Sequence, residues 1–122
     1  MSKDADRTIA RLLVIDPATV PEEVGAPAPD RLIAGNPTLR TWNAEDDGQG
    51  LYAGLWEATP GEWRVAYDEW EFFHVISGVS ELTEDGGETL RLEAGSVMVI
   101  RPGFRGRWKV VETTRKSYVI KV

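Results

Sequence analysis

From Leu39 onward the chain is a succession of short apolar-rich runs separated by turn residues. Nine segments carry the signature: Leu39–Trp42, Tyr52–Ala58, Glu62–Asp68, Glu71–Ser77, Val79–Thr83, Thr89–Glu93, Ser96–Arg101, Arg107–Glu112 and Lys116–Val122. Each is short, rich in β-branched and aromatic residues, and bounded by glycine, proline or acidic turn residues, which predicts a strand. Pro60-Gly61 and Pro102-Gly103 suit tight turns, and Asp85-Gly86-Gly87 suits a hairpin whose glycine takes positive φ. No stretch has a 3.6-residue apolar period. Many short strands at regular spacing predict an all-β antiparallel sandwich or barrel.

Parity within a strand sorts its two faces. Glu71, Phe73, Val75 and Ser77 share one face; Phe72, His74 and Ile76 share the other. Both are largely apolar, so this strand is expected to be covered on both sides, by the barrel interior and by an arm or a second subunit. In the preceding strand Trp63, Val65 and Tyr67 lie opposite to Arg64, Ala66 and Asp68.

The N-terminal quarter reads differently. Residues 1–8 are polar, and Ala10 to Ile15 is a short apolar run with strand character. Pro17, Pro21, Pro27, Pro29 and Pro37 then punctuate the chain, each removing a backbone donor and restricting the residue before it. Residues 1–31 are expected to form an arm laid over the domain, with a little strand near Leu32-Ile33, and residues 32–122 to form the barrel.

Composition narrows the partners. One domain fits 122 residues. The net charge of -6 disfavours a phosphate-binding surface, so nucleic acid is not an expected partner. No run approaches the length of a membrane span, and no apolar signal-peptide core is visible at the N-terminus. The chain has no cysteine, which removes disulfides and thiolate metal sites and fits a cytoplasmic location.

A family resemblance is carried by several motifs in order. Glu71 is followed seven residues later by Gly78; Gly95 opens the apolar strand Ser96–Ile100, which ends in Arg101-Pro102-Gly103. GLWEATPGEWRV (Gly54 to Val65), GFRGRW (Gly103 to Trp108) and RKSYVI (Arg115 to Ile120) complete the set. The chain resembles the cupins, in particular the short single-barrel type called Cupin_3 or DUF861, over about Leu32 to Val122. The resemblance implies a jelly-roll barrel with its site in the mouth, often dimeric, and a relationship to ureidoglycine aminohydrolases and ethanolamine-utilisation cupins.

It also implies a ligand set that this chain lacks. Metal-binding cupins place two histidines before the motif glutamate and one after the final turn. Here the upstream positions fall within Arg64 to Tyr67 and the downstream one is Gly106. Only Glu71 remains, and one carboxylate does not hold a transition metal, so no metal and no cofactor is expected. His74, the single histidine, falls by parity on the face away from Glu71.

The candidate site centres on Glu71, either as an acid–base group or ligand acceptor in an aromatic pocket, or as a structural carboxylate paired with an arginine such as Arg64 or Arg101. Tyr67 stands near a missing ligand position, and Trp108, two residues past another, is aimed inward. Phe73 shares the face of Glu71, and Arg101 at its strand end suits an anionic group. The residues thus predict a metal-free barrel binding a small polar metabolite, an amine, ureide or amino acid derivative by resemblance. Acid–base catalysis by Glu71 as isomerase, lyase or hydrolase is the second reading, and a filled, non-binding structural module the third. A homodimer is expected from the apolar face of Phe72, His74 and Ile76.

Overall fold

The structure, a computed structural model, describes residues 11–122. Nine strands and no helix make up this region: β1 Glu23–Gly25, β2 Leu32–Gly35, β3 Leu39–Asp46, β4 Leu51–Ala58, β5 Gly61–Ala66, β6 Trp70–Glu84, β7 Thr89–Glu93, β8 Val97–Ile100 and β9 Arg105–Lys121. Every strand pairing is antiparallel.

Two long strands, β6 and β9, organise the barrel by running through both of its layers. The first half of β6 pairs with β8 and with the second half of β9, which in turn pairs with β4, then β3 and β1. The second half of β6 pairs with β7 and with the first half of β9, which pairs with β5 and then β2. The β6–β9 register shifts three times between Val75 and Ser80, where the ribbon bends from one layer into the other. Gly78 sits in that bend at φ 91°, and a Cβ there would run into the Thr113 carbonyl, so the position admits only glycine.

This bend explains the main difference from the sequence expectation. Glu71–Ser77 and Val79–Thr83 are one strand, as are Arg107–Glu112 and Lys116–Val122, because a bulged strand keeps pairing through a kink that looks like a terminus in sequence. The other barrel strands fall within a few residues of their expected limits. The segment Arg11–Ile15 forms no strand, and Ala10 and residues 1–8 lie outside the described residues. β2 matches the strand expected near Leu32-Ile33. The sheet begins earlier than that, since β1 pairs with β3.

Alternate residues of β5, β6, β7 and β9 fill the space between the layers: Trp63, Phe73, Val75, Leu82, Leu92, Trp108, Val110 and Tyr118. Burying each such side chain is worth about 1.5–3 kcal/mol. The aromatic rings interlock, Trp56 with Trp108 at 5.3 Å between centroids and Phe73 with Trp108 at 5.5 Å. The Trp108 indole N–H donates to Ser80 Oγ at 3.1 Å, and Ser80 Oγ and Thr114 Oγ1 share a further hydrogen bond at 2.7 Å, so the polar atoms at the base of the core are partnered.

The inner face of β6 follows parity as far as Val75, with Glu71, Phe73 and Val75 all buried, whereas Ser77 is exposed because the register shifts between Val75 and Ser77. The outer face is apolar and in part exposed among the described residues. Ile76 is 45% exposed, and on the neighbouring β8, Val97 and Val99 are 57% and 43% exposed. The described residues ahead of β2 leave these three side chains exposed.

Candidate functional site

Glu71 and Lys116 form a buried ion pair inside the barrel, 2.8 Å from Oε2 to Nζ, with side chains 3% and 5% exposed. Strand register places them. On β9, Lys116 stands opposite Trp56 of β4 on one side and Val75 of β6 on the other, four residues from Glu71. Its stem crosses that offset along the inner face, past Phe73. Three rings surround the ammonium, with Nζ 4.6 Å from the Trp56 centroid, 4.5 Å from Phe73 and 4.4 Å from Trp108. The π-faces and the carboxylate together replace the water that a buried lysine loses.

The balance of these terms sets the proton affinity. Burial pulls the Lys116 pKa below its ordinary value, and the charge and hydrogen bond of Glu71 offset part of that fall. Burial, then the charge of Glu71 and a hydrogen bond to it, hold the Tyr67 phenol well above its usual range. Tyr118 is pushed up to about 12 by burial and then by the same carboxylate. Its hydroxyl donates to Asn43 Oδ1 at 2.6 Å. Both phenols are therefore donors over the whole physiological range.

These groups line a cavity of about 220 Å³, bordered by Thr41, Trp56, Tyr67, Glu69, Glu71, Lys116, Tyr118 and Ile120. The volume admits a molecule of a few heavy atoms. Two carboxylates, two phenols, a hydroxyl and an ammonium converge on it, so it suits a small ligand with several hydrogen-bonding groups. A larger groove of about 650 Å³ lies elsewhere, along β8 and the β6–β7 hairpin, lined by Leu82, Leu90, Met98, Phe104, Arg101 and both Glu84 and Glu88. It holds no buried charge, and size alone does not make it the functional site.

The structure divides the residues singled out from sequence. Tyr67 and Glu71 meet in the small cavity. Phe73 and Trp108 lie behind it, fully buried, as walls of the box around Lys116 rather than as cavity lining. Arg64 and Arg101 are not with them. Arg64 points from the outer face of β5 and pairs with Asp85 at 2.6 Å, with both side chains about half exposed. Arg101 is exposed and borders the larger groove. The expected arginine partner of Glu71 is corrected to Lys116, because parity turns Arg64 outward and Lys116 inward. His74 is exposed on the outer face, as its parity predicts.

Lys116, Tyr118, Thr41 and Glu69 are the site residues that sequence reasoning missed. The signal for two of them was present. Gly106, Trp108, Val110, Thr114, Lys116 and Tyr118 are the buried positions of β9, all of one parity. Extending the inward face of Trp108 through the apparent break near Thr113 would have placed Lys116 and Tyr118 inside.

The donor set does not fit the metal that the fold family implies. Among the described residues no group of three or more histidine, cysteine, aspartate or glutamate side chains is arranged to hold an ion. The one carboxylate at the ligand position is already neutralised by an ammonium. At Gly106, where the third histidine would stand, an added Cβ would collide with the Thr83 carbonyl.

Comparison with known proteins agrees with this architecture. A DUF861-family protein of unknown function from Pseudomonas syringae superposes with a TM-score of 0.73 at 24% identity, over 90% of this chain and 44% of that one. The present chain thus spans less than half of that relative. The Clostridium difficile EutQ protein gives a TM-score of 0.63 at 22% identity, over 80% and 79% of the two chains. Ectoine synthase from P. lautus gives 0.59 at 19%, over 68% and 63%. These likenesses establish the fold. No curated protein matches the chain. The Cupin_3 family pattern, that of the EutQ-like cupin domain, matches residues 45–118, more than half of the chain and both residues of the Glu71–Lys116 pair. The chain belongs to the EutQ-like family of cupin domains.

Proposed function

We propose that this cupin binds a small polar metabolite in the cavity bordered by Glu71, Lys116, Tyr67 and Tyr118. The supporting observation is that both members of a buried ion pair line an open cavity. A pair serving stability alone gains nothing from a cavity beside it, and buried pairs are in any case poor stabilisers compared with apolar packing. The excess of carboxylates at the rim, Glu69 beside Glu71, favours an amine, ureide or amino acid derivative that presents donors. Resemblance to ethanolamine-utilisation cupins points to the same nitrogen-bearing class.

A second reading, acid–base catalysis, is favoured by one feature. Glu71 and Lys116 hold a proton between them at 2.8 Å, with the lysine's affinity for it lowered by burial. Turnover of a bound compound, lost in Glu71→Gln, would distinguish catalysis from binding.

The test is a thermal-shift screen of small amines, ureides and amino acid derivatives against wild type and Glu71→Gln. A ligand at about one hundred times its Kd adds roughly 2.7 kcal/mol to the stability of the folded state. At least one compound is expected to raise the wild-type Tm by several degrees and to leave the variant unmoved. Equal shifts in both proteins, or none from any compound, would contradict the proposal.

A homodimer is proposed on separate grounds, the exposed apolar strip of Ile76, Val97 and Val99 beside the half-buried Phe72. Sedimentation equilibrium at micromolar concentration should return twice the chain mass of 13.6 kDa. A monomer mass would remove this part of the account.

A further inference from the structure

We propose that Lys116 is a carbonyl-reactive amine, and that the metabolite bound in the cavity is a small aldehyde or ketone captured as a Schiff base. This rests on the cavity being a ligand site. Among the small polar metabolites proposed above it selects those that carry an aldehyde or ketone, and it names the atom that takes them.

Geometry carries the inference. Lys116 is one of the residues that line the cavity, and its Nζ lies 2.8 Å from Glu71 Oε2, the carboxylate of another lining residue. Its only ion-pair partner among the described residues is Glu71, an internal proton acceptor at hydrogen-bond distance. Neighbouring groups match the steps of imine formation. Glu71 takes one proton from the ammonium, and the freed Nζ lone pair forms the N–C bond to the carbonyl carbon. The carbonyl oxygen receives that proton from Glu71, giving a carbinolamine that carries the positive charge on its nitrogen. A second nitrogen proton then passes by way of Glu71 to the hydroxyl, which leaves as water as the N=C bond forms. Ammonium and carbonyl thus yield iminium and water, with one positive charge on each side and nothing oxidised or reduced.

The surroundings favour the product as well as the path. The iminium keeps its positive charge where the ammonium had it, beside Glu71 and against the faces of Trp56, Phe73 and Trp108. Burial also keeps a larger share of the amine unprotonated than in an exposed lysine. The rim selects among carbonyl compounds. Glu69 and Glu71 repel a carboxylate, so 2-oxo acids are disfavoured, whereas hydroxy- or amino-substituted aldehydes and ketones find acceptors in the carboxylates and donors in the Tyr67 phenol and Thr41.

The experiment is reductive trapping. The full chain is incubated at pH 8 with glycolaldehyde, or with pyruvate, and cyanoborohydride, and the modified residues are located by peptide mass spectrometry. Glycolaldehyde is expected to fix one adduct on Lys116 at least tenfold faster than on the exposed Lys109 and Lys121, with pyruvate at least tenfold slower than glycolaldehyde. Lys116→Arg, which keeps the charge and removes the nucleophile, should lose the fast adduct. Labelling of Lys116 in the folded wild type no faster than of Lys109 and Lys121 overturns the proposal, as does an undiminished fast adduct in Lys116→Arg. Should such a result accompany a compound that stabilises wild type but not Glu71→Gln, binding stands and the Schiff base alone fails. If no compound stabilises, the cavity itself is not a ligand site.

Discussion

Replacing Lys116 by methionine is expected to destabilise the fold by about 3–5 kcal/mol, the usual penalty for leaving one member of a buried pair without its partner. Glu71 would then carry an uncompensated charge at 3% exposure among aromatic rings. At roughly 4 °C per kcal/mol for a domain of this size, the Tm should fall by about 10–20 °C. The companion variant decides the cause. With Glu71→Leu added, the buried charge is gone and an apolar pair occupies the same space, so stability should return to within about 1–2 kcal/mol of wild type. Urea denaturation of the three proteins measures both effects. A double variant no more stable than Lys116→Met would mean that the lysine stem, not the charge balance, is what the fold requires.

Trp108→Ala should cost about as much, in the range of roughly 3–5 kcal/mol for truncating a buried aromatic. Its side chain is 1% exposed and sits where Trp56, Phe73 and Lys116 converge. Truncation removes a wall of the ammonium box, opens a void at the meeting of the two layers, and leaves Ser80 without its indole donor. Trp108→Phe keeps a ring in place and forfeits mainly the hydrogen bond to Ser80, a loss of about 1 kcal/mol. Thermal or chemical denaturation should therefore rank wild type, Trp108→Phe and Trp108→Ala in that order. A cost below about 1 kcal/mol for the alanine variant would contradict the packing described here.

The fold was largely legible because its signals are local. Strand and turn chemistry marked all but one of the nine observed strands, and the parity of Glu71, Phe73 and Val75 sorted the faces of β6 correctly. What escaped was non-local. The bend at Gly78 and the matching kink in β9 divide two long strands into four apparent ones, since a bulge and a strand end share the same turn-like residues. That division hid the site's second half. Lys116 is inward by the parity that begins at Trp108, but a lysine in a C-terminal strand looks like an exposed charge unless the strand is known to be continuous. The short β1 was hidden among prolines, where pairing with β3 depends on a partner far along the chain. Arg64 and Arg101 were attractive because a buried carboxylate needs a cation. Charge alone does not say which cation the backbone turns inward.

Ligand binding is assigned to the small cavity at the Glu71–Lys116 pair and not to the larger groove along β8. A crystal structure of the protein with a compound that stabilises it tests this most directly. The compound is predicted to lie in the small cavity, within hydrogen-bond or bonding distance of Glu71, Tyr67 or Lys116. Density for it in the groove lined by Met98, Arg101 and Phe104, with the small cavity unchanged, would contradict the account.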